Sequence, residues 1–181
     1  MKSITFVDIR DEAISQMKTA FAENKKLHIA AHPGQFNEAE IKRLANRTPA
    51  ILTSFMKYSN EDCTVDFVSW VLYRADTIDR LYDGGLKIVS ALFPVIENLD
   101  AEWSLGGGER VEAECLYSGA LDQINITLFG IKWKWKIEKS YLLGNILSEL
   151  DYFEGYDATH NIGEAQVEDS VNLEVKNAST D

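Results

Sequence analysis

Little in this chain of 181 residues suits covalent, metal or membrane chemistry. It holds two cysteines, Cys63 and Cys115, three histidines and three prolines. Two thiols make no disulfide framework, so both are expected to be reduced, as in a cytoplasmic protein. No apolar run nears the roughly 18 residues that a membrane-crossing helix needs. Met1 to Arg10 shows no long apolar segment and no small-residue cleavage site, so no secretory leader is expected. Without one, the glycosylation patterns at Asn46, Asn125 and Asn177 carry no meaning. Bases are scarce as well: 18 Lys and Arg stand against 29 Asp and Glu, a net charge of −11. Phosphate neutralisation needs an excess of Lys and Arg, so specific nucleic-acid binding is not expected.

Recognised catalytic motifs are missing too. Gly106-Gly107-Gly108 is followed by Glu109 and Arg110, not by Lys and Ser or Thr, and fits neither a phosphate loop nor a dinucleotide fingerprint. It reads as a flexible hairpin turn. His28 and His32 have the spacing of a helical metal pair but fall on a short strand and its exit, where that spacing does not aim both rings at one point. No nucleophile elbow is present. Acid pairs such as Asp11-Glu12 and Glu61-Asp62 belong to solvated faces. No catalytic residue, cofactor or metal ligand is expected.

What is present is the material of a built structure. At this length one domain with a sizeable core is expected. A helix is expected over about 4–22, with Val7, Ile14, Met17 and Phe21 at helical spacing. Leu27 to Ala31 reads as a short strand, ended by His32-Pro33-Gly34. Asn37 and Glu40 form a capping-box pattern before a short helix. Ala50 to Tyr58 and Thr64 to Tyr73 read as strands. The second is apolar on both faces, as a central strand would be. Thr77 to Asn98 is the second main helix, its first half weakened by Gly84-Gly85 and its end by Pro94. Trp103 to Leu105 and Arg110 to Tyr117 read as two strand pieces. The order implies an α+β fold with a mostly antiparallel sheet and two main helices.

The last strand, about 123–139, changes the parity of its apolar residues. Ile124, Ile126 and Leu128 are even; Ile131, Trp133, Trp135 and Ile137 are odd. Since strand side chains alternate, a bulge at Gly130 is expected to restore one apolar face. Lys132, Lys134 and Lys136 then line the opposite, charged face. Tryptophans and lysines pointing opposite ways do not cooperate in single-strand binding, which needs stacking beside charge. Lysines on a sheet surface, available to a neighbour's acids, fit better.

Charge divides the chain into a body, 1–139, and a C-terminal extension, 140–181. The body holds 20 acids and 17 bases (−3); the extension holds nine acids and one base (−8). In the extension, Leu143, Ile146, Leu147 and Leu150 suit a short amphipathic helix. The alternating Val171, Leu173 and Val175 suit a strand added to another sheet's edge. The composition equally permits an arm without fixed structure.

Over about residues 1–139 this layout resembles the Mu-like phage tail terminator family. The features that carry the resemblance are the N-terminal helix, the small helix Glu38 to Ala45 and Arg47-Thr-Pro-Ala-Ile-Leu52 leading into a strand. The strand 64–73, the helix 85–98 and the final long strand with Gly130 follow in the same order. The layout is also similar to the α+β fold of terminators from long non-contractile tails. The resemblance implies a homo-oligomeric, hexameric ring in the virion, assembled in the host cytoplasm. Such a ring caps the tail tube, stops its growth and meets the neck or head-completion protein, and in contractile tails the sheath. DNA would pass through it, and no catalysis or cofactor is implied. Candidate subunit or partner contacts are Gly106, Gly107, Gly108, Lys132, Lys134, Lys136, Val171, Leu173 and Val175. The alternatives are another head–tail connector and a small cytoplasmic enzyme with an unmarked acid/base site.

Overall fold

The computed structural model describes residues 4–121, 124–143, 155–162 and 165–172. The fold is α+β: a five-stranded, mostly antiparallel sheet packed with three helices. The chain divides into two compact units, Met1–Gly144 and Asn145–Asp181.

In the first unit, α1 (Phe6–Ala20) starts at a complete capping box. Thr5 Oγ1 accepts from the Asp8 N–H at 3.1 Å, and the Asp8 carboxylate accepts from the Thr5 N–H at 2.7 Å. The edge strand β1 (His28–Ala31) runs parallel to β2 (Ala50–Ser59). Between them lies α2 (Glu38–Ala45). Here Asn37 caps the Glu40 N–H at 2.9 Å, while the Glu40 carboxylate turns instead to His32 and Arg43. β3 (Thr64–Arg74), α3 (Ile78–Glu97), β4 (Ser104–Leu121) and β5 (Ile124–Ile137) complete the unit, with the short 3-10 turn Lys139–Leu143 behind them. The strand order is β1-β2-β3-β5-β4, so β3 is central, as its two apolar faces require.

One sheet face carries the main core. Val65, Phe67, Ser69 and Val71 of β3 and Phe129, Ile131, Trp133, Trp135 and Ile137 of β5 point to α1 and α3. Trp133 stacks on Phe67 with ring centroids 4.6 Å apart, and Trp103 meets Trp135 at the same separation. Under α1, Thr53 Oγ1 lies 3.1 Å from Ser69 Oγ, which accepts from the Trp133 indole N–H at 3.0 Å. The buried polar atoms satisfy one another there.

The other face has its own smaller core at one end only. α2 contributes Leu44 and Ala45, which pack on Leu52, Leu72, Ile126 and Leu128. This explains the parity change in β5 and corrects the expected bulge. β5 pairs with β3 in unbroken register from Arg74↔Ile126 to Thr64↔Lys136, through Trp70↔Gly130. No face turns over. The even residues are apolar where α2 covers one side, and the odd ones where α1 and α3 cover the other. The extra residues sit in the flanking strands, at Met56 in β2 and at three places in β4.

Two further expectations are corrected. Gly84 and Gly85 do not interrupt α3, which runs unbroken through them; whatever they cost in helix preference, they let it lie close on the sheet. A Cβ on Gly85 would stand 2.7 Å from both Phe129 Cε2 and Thr127 Cγ2. Gly106, Gly107 and Gly108 are not a hairpin turn either. They lie within one continuous strand, β4, where the backbone of Gly107 and Gly108 passes against the last turn of α3. Gly106 takes φ +111°, and its carbonyl accepts from the Trp135 indole N–H at 2.8 Å.

The second unit contains an antiparallel pair, β6 (Gly155–Ile162) and β7 (Ala165–Asn172). Val171 lies in β7 opposite Tyr156. Leu173, Val175, Ile146, Leu147 and Leu150 lie outside the described residues.

Candidate functional site

The half of the second sheet face that α2 leaves uncovered is where the sequence's lysines come together. Lys132 and Lys134 project from β5, opposite Val68 and Asp66 of β3. The bulge at Met56 adds a partner that the sequence did not disclose. Past it, Lys57 pairs with Asp66 and so shares their face, whereas an unbroken β2 would have turned it to the core. Glu112 of β4 lies opposite Lys132. A trough of about 480 Å³ results, lined by Met56, Lys57, Asp66, Arg110, Lys132 and Lys134, with Val68 and Glu112 beside them.

Asp66 is the centre of this trough. Lys57 Nζ lies 3.5 Å from its Oδ2 and Lys134 Nζ lies 3.3 Å from its Oδ1. Oδ1 is buried, yet no hydrogen bond reaches it, so the Lys134 contact is ionic without being well directed. Lys132 Nζ pairs with Glu114 Oε1 at 2.8 Å, and that hydrogen bond and charge raise the pKa of the lysine. Lys136, paired across the ladder with Thr64, is exposed at the end of the same face. The one sequence clue to Lys57 and Asp66 was a lone acid in an otherwise apolar central strand; the bulge that completes the group has no such marker.

Beside the trough runs an open edge. β4 has 18 residues and pairs only with β5 among the described residues; past Gly107 and Gly108, which lie against α3, its outer N–H and C=O groups form an uncovered margin. Leu105 and Leu116 are exposed along it, as is Cys115. Glu109, Glu112 and Glu114 and three register shifts interrupt it. Charges and bulges are how natural sheets limit unwanted strand pairing. Of the three glycines proposed as contacts, Gly106 is exposed, Gly107 half-buried and Gly108 buried.

A second cluster stands at the α2 end. His32 Nε2 lies 2.9 Å from Glu40 Oε1, and His32 Nδ1 accepts the Gly34 N–H at 3.0 Å, so the ring proton belongs on Nε2. The Arg43 guanidinium, and next the His32 hydrogen bond, hold the Glu40 carboxyl at about 2, against an ordinary 4.5. His32 stacks on Phe36 at 4.4 Å, and Phe36 meets Trp70 at 4.8 Å. Every polar group here is turned to its neighbours, so the cluster fastens the 32–37 loop over the smaller core. His28 lies apart on β1, its pKa lowered first by burial and then by Arg47 and Lys18. Among the described residues, no three His, Cys, Asp or Glu side chains gather as metal ligands. No helix of the described chain is long and apolar enough to cross a membrane. In comparisons with known proteins, no family model matches the chain, and neither does any curated protein.

Proposed function

We propose that this protein is a structural assembly subunit, a phage tail terminator that forms a ring on the tail tube, ends its growth and joins it to the neck. The observation that carries the reading is the 18-residue edge strand β4, uncovered among the described residues and flanked by a charged trough. An edge of this length is a template for another chain's backbone, which suits a subunit made to meet copies of itself. The resemblance in element order supplies the kind of assembly. Two unlike sheet edges, a four-residue β1 and β4, suit a head-to-tail contact that closes by rotation into a ring. The nearly balanced charge of residues 1–139 allows wide contacts, and an overall excess of acid would let DNA pass without adhering. The function requires no catalytic group or cofactor.

The test is a mass measurement of the purified protein in solution, followed by electron microscopy of tail tubes grown with and without it. A mass near six times that of one chain, and tubes stopped and capped at one end by a ring, are expected. A ring that binds a portal and ignores tubes would make it a different head–tail connector. A monomer that leaves tube growth unchanged would overturn the reading.

A further inference from the structure

The large apolar side chains that stand exposed among the described residues gather at the two margins of the five-stranded sheet. At one margin β1 pairs with Ala50–Thr53 only, so β2 from Phe55 to Ser59 has no outer neighbour among the described residues, and Phe55 and Met56 are exposed. Val7 joins them, since it follows Phe6, whose ring lies 5.2 Å from those of Phe55 and Tyr58. At the other margin Leu105 and Leu116 are exposed on β4. So are Tyr82 and Leu86 of α3, which lies over β5 and β4, Tyr82 with its ring 5.4 Å from that of Phe129. Apolar surface grouped in this way marks places where another protein docks.

Charge tells the two margins apart. Around β1 stand Lys18, Lys25, Lys26 and Arg47 against Glu23, a net +3 (four bases minus one acid), all exposed. None of the four bases has an ion pair among the described residues. After burial, Arg47 and Lys18 are what lower the His28 pKa, so both stand beside β1. The neighbouring α2 adds only balanced pairs, Glu38 with Lys42 and Glu40 with Arg43. β4 carries Glu109, Glu112 and Glu114 against Arg110, a net −2, or −1 once Lys132 of β5, the partner of Glu114, is counted. Lys134, opposite Glu109, has its own partner in Asp66. The margins also match in length. Between two register shifts β4 runs regularly from Glu112 to Cys115, four residues with two glutamates, and β1 is four residues long.

We propose that the β4 margin of one copy, at Glu112–Cys115, adds as a strand to β1 of a second copy, its glutamates meeting the group of Lys18, Lys25, Lys26 and Arg47. The sheet then continues from copy to copy, and the apolar side chains flanking each margin are covered by the other. Two β4 margins brought together would set glutamates against glutamates, so the contact is head-to-tail. The inference rests on the proposed self-assembly and names the surface of the second copy that β4 meets. It needs no contact with tail tube or neck.

Two full-length variants each reverse one margin. Glu109→Lys with Glu112→Lys makes β4 basic, and Lys26→Glu with Arg47→Glu makes the β1 margin acidic; all four side chains are exposed, and circular dichroism checks the fold. Self-association is read by analytical ultracentrifugation. Each variant alone is expected to associate about tenfold more weakly than wild type. An equimolar mixture should regain association, because every copy then finds an oppositely charged margin on both sides. The first variant has a net charge of −7 (−11 plus 4), which by itself would favour association, so its weakening reports on the margin. Either variant associating like wild type, or a mixture no stronger than its components, would overturn the proposal. A second measurement needs no variant. Wild-type chains, half of them labelled with heavy nitrogen, are treated with a carbodiimide, which joins a lysine amine to a nearby carboxylate as an amide with loss of water. Links from Lys18, Lys25 or Lys26 of one copy to Glu109, Glu112 or Glu114 of another are expected, and their absence would sink the inference. Rings that form without these links would end it and spare the terminator reading. Links found in wild-type chains that cap no tube would keep it and end that reading.

Discussion

Single residues fasten the covers of the sheet at two points, one beside α2 and one under α1, and each makes a measurable claim. Glu40 is ionised well below the usual carboxylate range because Arg43 and His32 bond its charged form. Its folded pKa is depressed, so it adds stability that is fully present above 4.5 and is lost as pH falls from there toward 2. Glu40→Gln should therefore lower the urea midpoint at pH 6 and bring it nearer to wild type at pH 3. An equal deficit at both values would show that the charge is not what matters. The second point is buried. Ser69 Oγ accepts the Trp133 indole N–H and lies beside Thr53 Oγ1, all of them nearly without solvent contact. Ser69→Ala leaves those groups without their partner and should cost about 1–3 kcal/mol in urea unfolding. Less than about 0.5 kcal/mol would mean that the network closes around the gap, since loss of a fully compensated bond is nearly neutral.

At the scale of elements, α3 is where propensity and packing disagree. Replacing a helical glycine by alanine gains about 1 kcal/mol of intrinsic helix preference. At Gly85 the added methyl would meet Phe129 and Thr127 at 2.7 Å, and overpacking of this kind costs about 1–3 kcal/mol. Packing should win, so Gly85→Ala is expected to destabilise by about 1 kcal/mol in urea unfolding; a stabilised variant would show that α3 does not bear on the sheet there. The same conflict limits what the sequence discloses. Read alone, Gly84-Gly85 marks a weak helix, because the ring of Tyr73 and the sheet beneath cannot be foreseen from a dipeptide. The positions of α1, α2, α3, β1, β2, β3 and β5 followed from period and turn residues, and the central place of β3 from its two apolar faces; β4 was split at its glycines, and the polar β6 and β7 carry no sustained apolar alternation that would have marked them. The parity change in β5 was visible, but its cause was not. A strand with different covers on its two sides looks, in one dimension, like a strand that is bent. The trough was half visible for the same reason. Lys132 and Lys134 stand in an alternating run, whereas Lys57 reaches them only through a bulge that leaves no composition signal.

At the scale of the whole molecule, the described sheet has one short margin and one long one, and the proposed assembly predicts that the long one disappears from solvent. Cys115 reports on it directly, since its side chain is exposed on β4, while Cys63 is only half-buried in the β2–β3 turn and can be replaced by serine. In a Cys63→Ser background, Cys115 should react with a maleimide freely at high dilution and at least tenfold more slowly in the assembled form. A rate that does not change with concentration would remove β4 from the interface. Fold class was within reach of the sequence because apolar period dictates layers. The proposed assembly came from resemblance, because a margin uncovered among the described residues is made by the absence of a neighbour, and no residue type encodes that.

On the proposed function, a margin left bare for later use is also dangerous beforehand. During synthesis, copies accumulate before there is anything to join, and any stray extended peptide would find the same row of amides. On that reading the three irregularities and the glutamates of β4 would serve as a latch on timing. They spoil flat, indiscriminate zippering and leave the margin usable by a companion shaped to the same kinks.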